Sequence, residues 1–78
     1  MLPNHFVIFW DNKPIAIDQD SGGYPYKLPD NSNPSTVKYF RTREDAQKYW
    51  DILTRVDSKF IYSNYFIKEI QFRIMGNN

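Results

Sequence analysis

The chain contains no cysteine, and histidine occurs once, as His5. Disulfide bonds, thiolate metal sites and thiol redox chemistry are therefore excluded, and an intracellular environment is favoured over secretion. General acid–base chemistry is left to carboxylates, and no carboxylate pair stands in a recognisable catalytic context. We therefore expect a protein that is not an enzyme and that uses no metal or cofactor.

Long apolar runs and a strong net charge are also missing. No run approaches the roughly 18 residues that a membrane span requires, and the N-terminus lacks the basic and apolar regions of a signal peptide. Ten Lys and Arg oppose nine Asp and Glu, which gives a formal charge of +1. This balance indicates neither a nucleic-acid-binding field nor an acidic mimic of DNA.

Aromatic residues, by contrast, are abundant, at 18% of the chain. Each ring can bury roughly 150–250 Å², so a few of them supply most of a small core. A length of 78 residues fits one domain only. We expect the termini (1–5 and 76–78) to fray and the polar segment 28–35 to form a mobile loop.

The first half of the chain has the pattern of short strands. Phe6–Trp10 and Ile15–Ile17 are apolar runs separated by the turn formers Asp11 and Asn12, which predicts a β-hairpin. Tyr24–Lys27 is a candidate edge strand. Thr36–Phe40 also has a strand-like composition.

A helix is predicted over residues 43–56. Thr42 is a candidate N-cap, with acids at positions 44 and 45 that complement the helix dipole. A predicted buried face recurs at spacings of three and four and contains Ala46, Tyr49, Trp50, Leu53 and Val56. Asp51 and Arg55 form a candidate i,i+4 ion pair.

The C-terminal part has the composition of strands again. Phe60–Tyr62 forms one short run, and Ile70, Phe72 and Ile74 alternate with polar residues, which predicts a half-buried strand. The sequence leaves open whether residues 59–75 form one strand or a hairpin. The expected fold class is α+β: a small antiparallel sheet of four to five strands with one amphipathic helix on one face.

The block Asp18–Tyr26 joins a strand to a dense turn with Gly22 and Gly23. Turns of this kind use glycine for positive φ, with Asp and Ser side chains bonding the local backbone. Tyr is a frequent binding hot spot, because its ring buries area while its hydroxyl stays polar. The predicted partner-binding residues are Asp18, Asp20, Ser21, Tyr24 and Tyr26.

Two ligand-binding interpretations of the same block fail on its own residues. A calcium loop beginning at Asp18 places Gly22 fifth and Pro29 twelfth, where a bidentate Glu is required. A phosphate loop requires Lys and Ser or Thr followed by a helix, whereas Tyr24-Pro25-Tyr26 follows here.

Two other function classes remain open at the level of sequence. A basic and aromatic surface for single-stranded nucleic acid is one, and its candidate residues are Lys38, Arg41, Arg43 and Arg55. The other is self-association, because an exposed strand within 60–75 can pair across a two-fold axis as a homodimer. A steep dependence of affinity on salt identifies the nucleic-acid class.

Two motifs carry a resemblance to known proteins. Lys13–Tyr26 has the sequence KPIAIDQDSGGYPY, and Phe40–Tyr49 has the sequence FRTREDAQKY. They resemble the turn and the helix motif of small proteins encoded by phages and prophages, over about residues 6–56. The resemblance implies a non-enzymatic protein in the cytoplasm of a bacterial host. It further implies a protein that binds and inhibits a host defence or regulatory complex, as anti-CRISPR and anti-restriction proteins do.

Overall fold

The computed structural model describes residues 4–71, which form a four-stranded antiparallel sheet with one helix packed against it. The strands are β1 (Asn4–Trp10), β2 (Lys13–Asp18), β3 (Tyr24–Lys27) and β4 (Tyr65–Gln71), in the order β3-β2-β1-β4. The helix is α1 (Arg43–Val56). The predicted α+β class is confirmed, with four strands in this part of the chain.

The hairpin between β1 and β2 forms where the sequence predicts it. Its two loop residues have positive φ, 51° at Asp11 and 66° at Asn12, which is the conformation that two-residue hairpins favour. β1 also pairs with β4 along its whole length, from Asn4 opposite Gln71 to Trp10 opposite Tyr65. Residues 4 and 5, which we expected to fray, therefore belong to a central strand, and residues 1–3 and 76–78 lie outside the described residues.

The helix α1 has the predicted ends. The hydroxyl of Thr42 accepts a hydrogen bond from the backbone N–H of Asp45 at 3.0 Å, which caps the N-terminus. Ala46, Trp50 and Leu53 are buried as predicted. Val56 is 69% exposed, so its prediction as a core residue is wrong, because it stands in the last turn, beyond the rings that the helix covers.

The core lies between the sheet and α1 and is mostly aromatic. Trp50 stacks on Tyr65 at 4.5 Å between ring centroids and meets Phe60 edge-on at 5.3 Å. The buried cluster contains Ile8, Ile15, Phe40, Ala46, Trp50, Leu53 and Phe60. Among the described helices, none is long and apolar enough to cross a bilayer.

Two predicted strands are wrong, and local hydrogen bonding explains both. Phe60–Tyr62 lies in a 3₁₀ segment, Ser58–Tyr62, that Asp57 caps by accepting from the N–H of Lys59. Pro34–Thr36 is also 3₁₀, because Asn33 accepts from the N–H of Ser35. These side-chain bonds give the backbone an alternative to a strand ladder.

The rest of segment 36–40 lies between two strands without forming one. β1 and β2 diverge beyond their hairpin, and the N–H of Lys38 donates to the carbonyl of Ile15. Phe40 and Phe6 exchange two backbone hydrogen bonds of 2.8 Å, an isolated bridge. This segment therefore supplies the backbone partners that β1 and β2 no longer give each other.

Three further predictions need adjustment. Leu28 opens the predicted polar loop but is buried, 5% exposed. Asp51 accepts from Gln47 at 3.0 Å rather than pairing with Arg55. In β4 it is Tyr65 and Ile67 that pack on the core cluster. They lie on the opposite face of the strand from Ile70, the only described residue of the predicted buried set, because side chains alternate between faces. Phe72 and Ile74 lie outside the described residues.

Candidate functional site

The glycine-rich loop between β2 and β3 is built as its sequence predicts. Gln19–Ser21 forms a 3₁₀ turn that Asp18 caps. One carboxylate oxygen of Asp18 accepts from the N–H of Asp20 at 3.0 Å, and the other accepts from the hydroxyl of Ser21 at 2.8 Å. The turn ends in two glycines with φ of 73° and 88°, a conformation that other residues rarely adopt.

Two tyrosines fasten this loop to the helical layer. The Tyr24 hydroxyl donates to the carboxylate of Asp57 at 2.5 Å, at the C-terminal end of α1. Its ring meets Phe60 edge-on, with 5.6 Å between centroids. The Tyr49 hydroxyl donates to the carbonyl of Gly23 at 3.0 Å. The loop is therefore held in one position by contacts far apart in sequence.

The bond between Tyr24 and Asp57, and the burial of Tyr49, shift the pKa values of these groups. The hydrogen bond from Tyr24, assisted by the backbone N–H of Lys59, lowers the pKa of Asp57 from its ordinary value of 3.8. The same bond raises the pKa of Tyr24 above 10.0. Burial raises the pKa of Tyr49 to about 12. At neutral pH the two phenols are protonated donors and Asp57 is an ionised acceptor.

An open pocket of about 430 Å³ lies beside the loop, at the β3 edge of the sheet. Its lining residues are Asp18, Ser21, Tyr24, Pro25 and Tyr26. Four of the five residues predicted from the sequence therefore line one concave surface, which we name the loop pocket. The fifth, Asp20, is exposed on the turn above it.

The two predicted tyrosine anchors have different environments. Tyr26 is 47% exposed, so much of its ring is available to a partner. Tyr24 is half-buried and packs against the core cluster. Tyr24 therefore positions the pocket wall, and Tyr26 is the side chain that a partner can cover.

A flank of α1 adjoins this loop and was not predicted as part of a surface. Tyr49, Ile52 and Val56 recur at spacings of three and four, so they share one side of the helix. Tyr49 reaches the loop through Gly23, whereas Ile52 and Val56 are exposed. Their spacing was visible in the sequence, but it also matches a buried face, and only the packing separates the two interpretations.

Among the candidate basic residues, Arg55 lies apart from Arg43. Arg43 and Arg55 stand near opposite ends of α1, about 18 Å apart at 1.5 Å per residue. Arg43 also donates to the carbonyl of Ile67 at 3.1 Å and lies over the Phe6 ring. Lys38 lies over the Phe40 ring, and Arg41 is exposed.

Across residues 4–71, no three His, Asp or Glu side chains are grouped closely enough to hold a metal ion. Comparison of the chain with protein-family models, with curated proteins and with solved structures finds no significant match.

Proposed function

We propose that this protein is a non-enzymatic binding module that recognises another protein through the loop pocket. The observation that carries the proposal is a concave surface of about 430 Å³ with the half-exposed ring of Tyr26 on its wall. Tyr supplies large contact area with a polar tip, which is why it is common at the centre of protein interfaces.

The rigidity of the loop supports binding by this surface. Capping by Asp18 and the attachments of Tyr24 and Tyr49 hold the pocket before any partner arrives. A preformed surface loses less conformational entropy on association, so more of its contact energy appears as affinity. The exposed Ile52 and Val56 extend the apolar area on the neighbouring helix flank.

The biological setting is part of the same proposal. The partner is a defence or regulatory complex of a bacterial host, and this protein, encoded by a phage or prophage, acts as its inhibitor in the cytoplasm. The resemblance of the glycine turn and of the helix motif to small phage proteins supports this setting, and the analogy concerns lifestyle rather than chemistry.

The proposal is tested by comparing two tyrosine variants in one capture experiment. Wild type, Tyr26→Ala and Tyr62→Ala are immobilised and exposed to nuclease-treated bacterial lysate at moderate salt, and bound proteins are quantified by mass spectrometry. Tyr62 is the matched control, since it is 85% exposed and lies in the 3₁₀ segment after α1. Both substitutions should leave the melting temperature nearly unchanged, because both rings are at the surface.

We expect a protein that binds wild type and Tyr62→Ala but is lost with Tyr26→Ala. Titration with that purified protein should show a loss of at least about 2 kcal/mol for Tyr26→Ala. Equal retention by all three proteins contradicts recognition through the loop pocket. Binding that disappears on nuclease treatment or falls steeply with salt supports the nucleic-acid alternative instead.

A further inference from the structure

The outer edge of β4 is an open row of backbone hydrogen-bonding groups. β4 pairs with β1 on one side, and no other strand of residues 4–71 meets its second side. Opposite Glu69, Phe6 exchanges its backbone hydrogen bonds with Phe40 rather than with β4. The main-chain groups of Glu69 therefore point outward, and by alternation so do those of Tyr65 and Ile67.

The bond from Arg43 agrees with this orientation, because the carbonyl of Ile67 accepts from a side chain rather than from the backbone of β1. That single bond occupies one of the two lone pairs of the carbonyl, and the outward N–H groups have no backbone partner among the described residues.

The opposite edge of the sheet is protected in a way that β4 is not. In β3 the N–H of Leu28, the next residue, donates inward to Pro14, so the outward positions are Pro25 and Lys27. Proline has no N–H, which removes a donor from the middle of that edge. Natural sheets commonly protect an edge by this device, and β4 contains no proline.

We propose that β4 pairs antiparallel with β4 of a second copy of this chain, across a two-fold axis at Ile67. In this register Tyr65 is opposite Glu69 of the other copy, and Phe66 is opposite Lys68. No like charges face each other, and the lysine meets an aromatic ring.

The other registers of the same hydrogen-bonding parity are less favourable. Centring the pair on Lys68 places two lysines opposite each other, and centring it on Glu69 places two glutamates opposite each other, which is destabilising. Centring it on Phe66 or on Ile70 pairs only three residues of each strand, against five for the register at Ile67.

The helix α1 packs beside this strand. α1 contacts both β1 and β4, and Gln47 binds the Tyr65 hydroxyl at 2.7 Å, so the helix lies over this edge of the sheet.

At this edge of the dimer the two Arg43 side chains flank the axis, and each has a carboxylate of the other copy nearby. Glu69 is exposed and has no ion-pair partner among residues 4–71, while Arg43 is fixed at Ile67. In the paired sheet Glu69 of one copy is diagonal to Ile67 of the other, within reach of Arg43. Two such pairs form about the axis.

Proline at position 69 tests the pairing. Glu69→Pro removes an outward N–H and leaves the bonds between β1 and β4 intact, whereas the matched control Glu69→Ala keeps the N–H. Sedimentation of the full chain over a concentration series should show a wild-type dimer. We expect Glu69→Pro to weaken it about tenfold or more relative to Glu69→Ala, because two hydrogen bonds are lost per dimer. A wild-type monomer at all concentrations, or equal dimerisation of the two variants, overturns the proposal.

Disulfide cross-linking tests the register. Because the chain has no native cysteine, only the introduced cysteines can form disulfides. Under mild oxidation, a mixture of Phe66→Cys and Lys68→Cys should form mixed dimers about tenfold faster than either variant alone, because only this register places 66 opposite 68. Fastest cross-linking of Lys68→Cys with itself, or none in any sample, contradicts the register.

This inference is independent of recognition by the loop pocket. The pairing uses β4 and leaves the β3 edge at the two outer ends of an eight-stranded sheet. Glu69→Pro should therefore change the sedimentation of the protein but not the capture that depends on Tyr26, so the two proposals fail separately.

Discussion

At the scale of single residues, the contact between Tyr24 and Asp57 joins the glycine loop to the end of α1. Both residues were visible in the sequence, 33 positions apart, but nothing in their spacing indicates that they meet. A hydrogen bond between side chains so distant in sequence depends on how the strands and helix pack. This bond fixes one wall of the loop pocket.

The pKa shifts of Tyr24 and Asp57 predict the pH range over which their hydrogen bond stabilises the fold. Asp57 has a lowered pKa, so its contribution is present above pH 3.8 and is lost as pH falls through the folded value. Tyr24 has a raised pKa, so its contribution is present below pH 10.0 and is lost as pH rises through the folded value. The bond therefore stabilises the protein between these limits.

Tyr24→Phe tests this window. We expect the free energy of unfolding to drop at neutral pH and the difference from wild type to shrink below about pH 4 and above about pH 10. Urea unfolding across this pH range measures it. Tyr62→Phe is the control, since no hydrogen bond to the Tyr62 hydroxyl occurs within the described part of the chain, and its difference should stay near zero. A difference for Tyr24→Phe that is constant in pH contradicts the assignment.

At the scale of secondary structure, the sequence predicted the helix correctly. Two segments that it predicted as strands are not strands. Thr42, the acids of the first turn and the three-and-four spacing all act within a few residues, and they define α1 correctly. Composition alone favoured strands at Thr36–Phe40 and Phe60–Tyr62. There the short-range caps by Asn33 and Asp57 prevail, because each satisfies a backbone N–H without a partner strand.

Because Thr42 caps the helix, replacing it with alanine should destabilise the protein, whereas the same replacement at Thr54 should not. Thr42→Ala leaves the N–H of Asp45 without its acceptor and should lower the free energy of unfolding by about 0.5–2 kcal/mol. Thr54→Ala is the matched control. Its hydroxyl bonds the carbonyl of Asp51 inside the helix, where alanine is the better helix former.

We expect Thr54→Ala to leave stability unchanged or slightly higher, as measured by chemical denaturation with circular dichroism. Equal destabilisation by the two substitutions would show that the cap is not what stabilises the start of α1.

At the scale of the whole molecule, a few rings hold the two layers together. Trp10, Trp50, Phe60, Tyr24 and Tyr65 meet one another at centroid distances between 4.5 and 5.8 Å. A domain of this length has a total stability of only about 4–12 kcal/mol, at roughly 0.05–0.15 kcal/mol per residue. The loss of one central ring is therefore a large fraction of the total.

Phe60→Ala tests this dependence. Phe60 is 1% exposed and contacts Trp10, Tyr24 and Trp50, so its truncation should cost about 3–5 kcal/mol and leave the protein largely or wholly unfolded. Phe66→Ala is the matched control, because that ring is 46% exposed and stacks only on Phe9 among the described rings. Its cost should be about 1 kcal/mol. Thermal melting at low protein concentration compares the two, and similar melting temperatures contradict the aromatic core.

The candidate site shows the same division between local and long-range information. The turn with Asp18, Ser21 and the two glycines was predictable, since its side-chain bonds span three residues or fewer and its backbone bonds at most five. The pocket was not, because its walls form only when β3 pairs with β2 and Tyr24 reaches Asp57. The distinction between Tyr24 as a support and Tyr26 as an exposed ring follows from that packing.

The sequence by itself determined the fold class, the helix with its cap, the first hairpin and the glycine turn. All of these depend on hydrophobic periodicity, backbone sterics and side-chain bonds between near neighbours. Only the tertiary structure decided that Phe60 is core while Val56 is surface, that segment 36–40 bridges β1 and β2, and that β4 is an edge strand of the described sheet. These properties depend on which segments distant in sequence come into contact. Burial and strand pairing arise from those contacts, so no local stretch of sequence determines them.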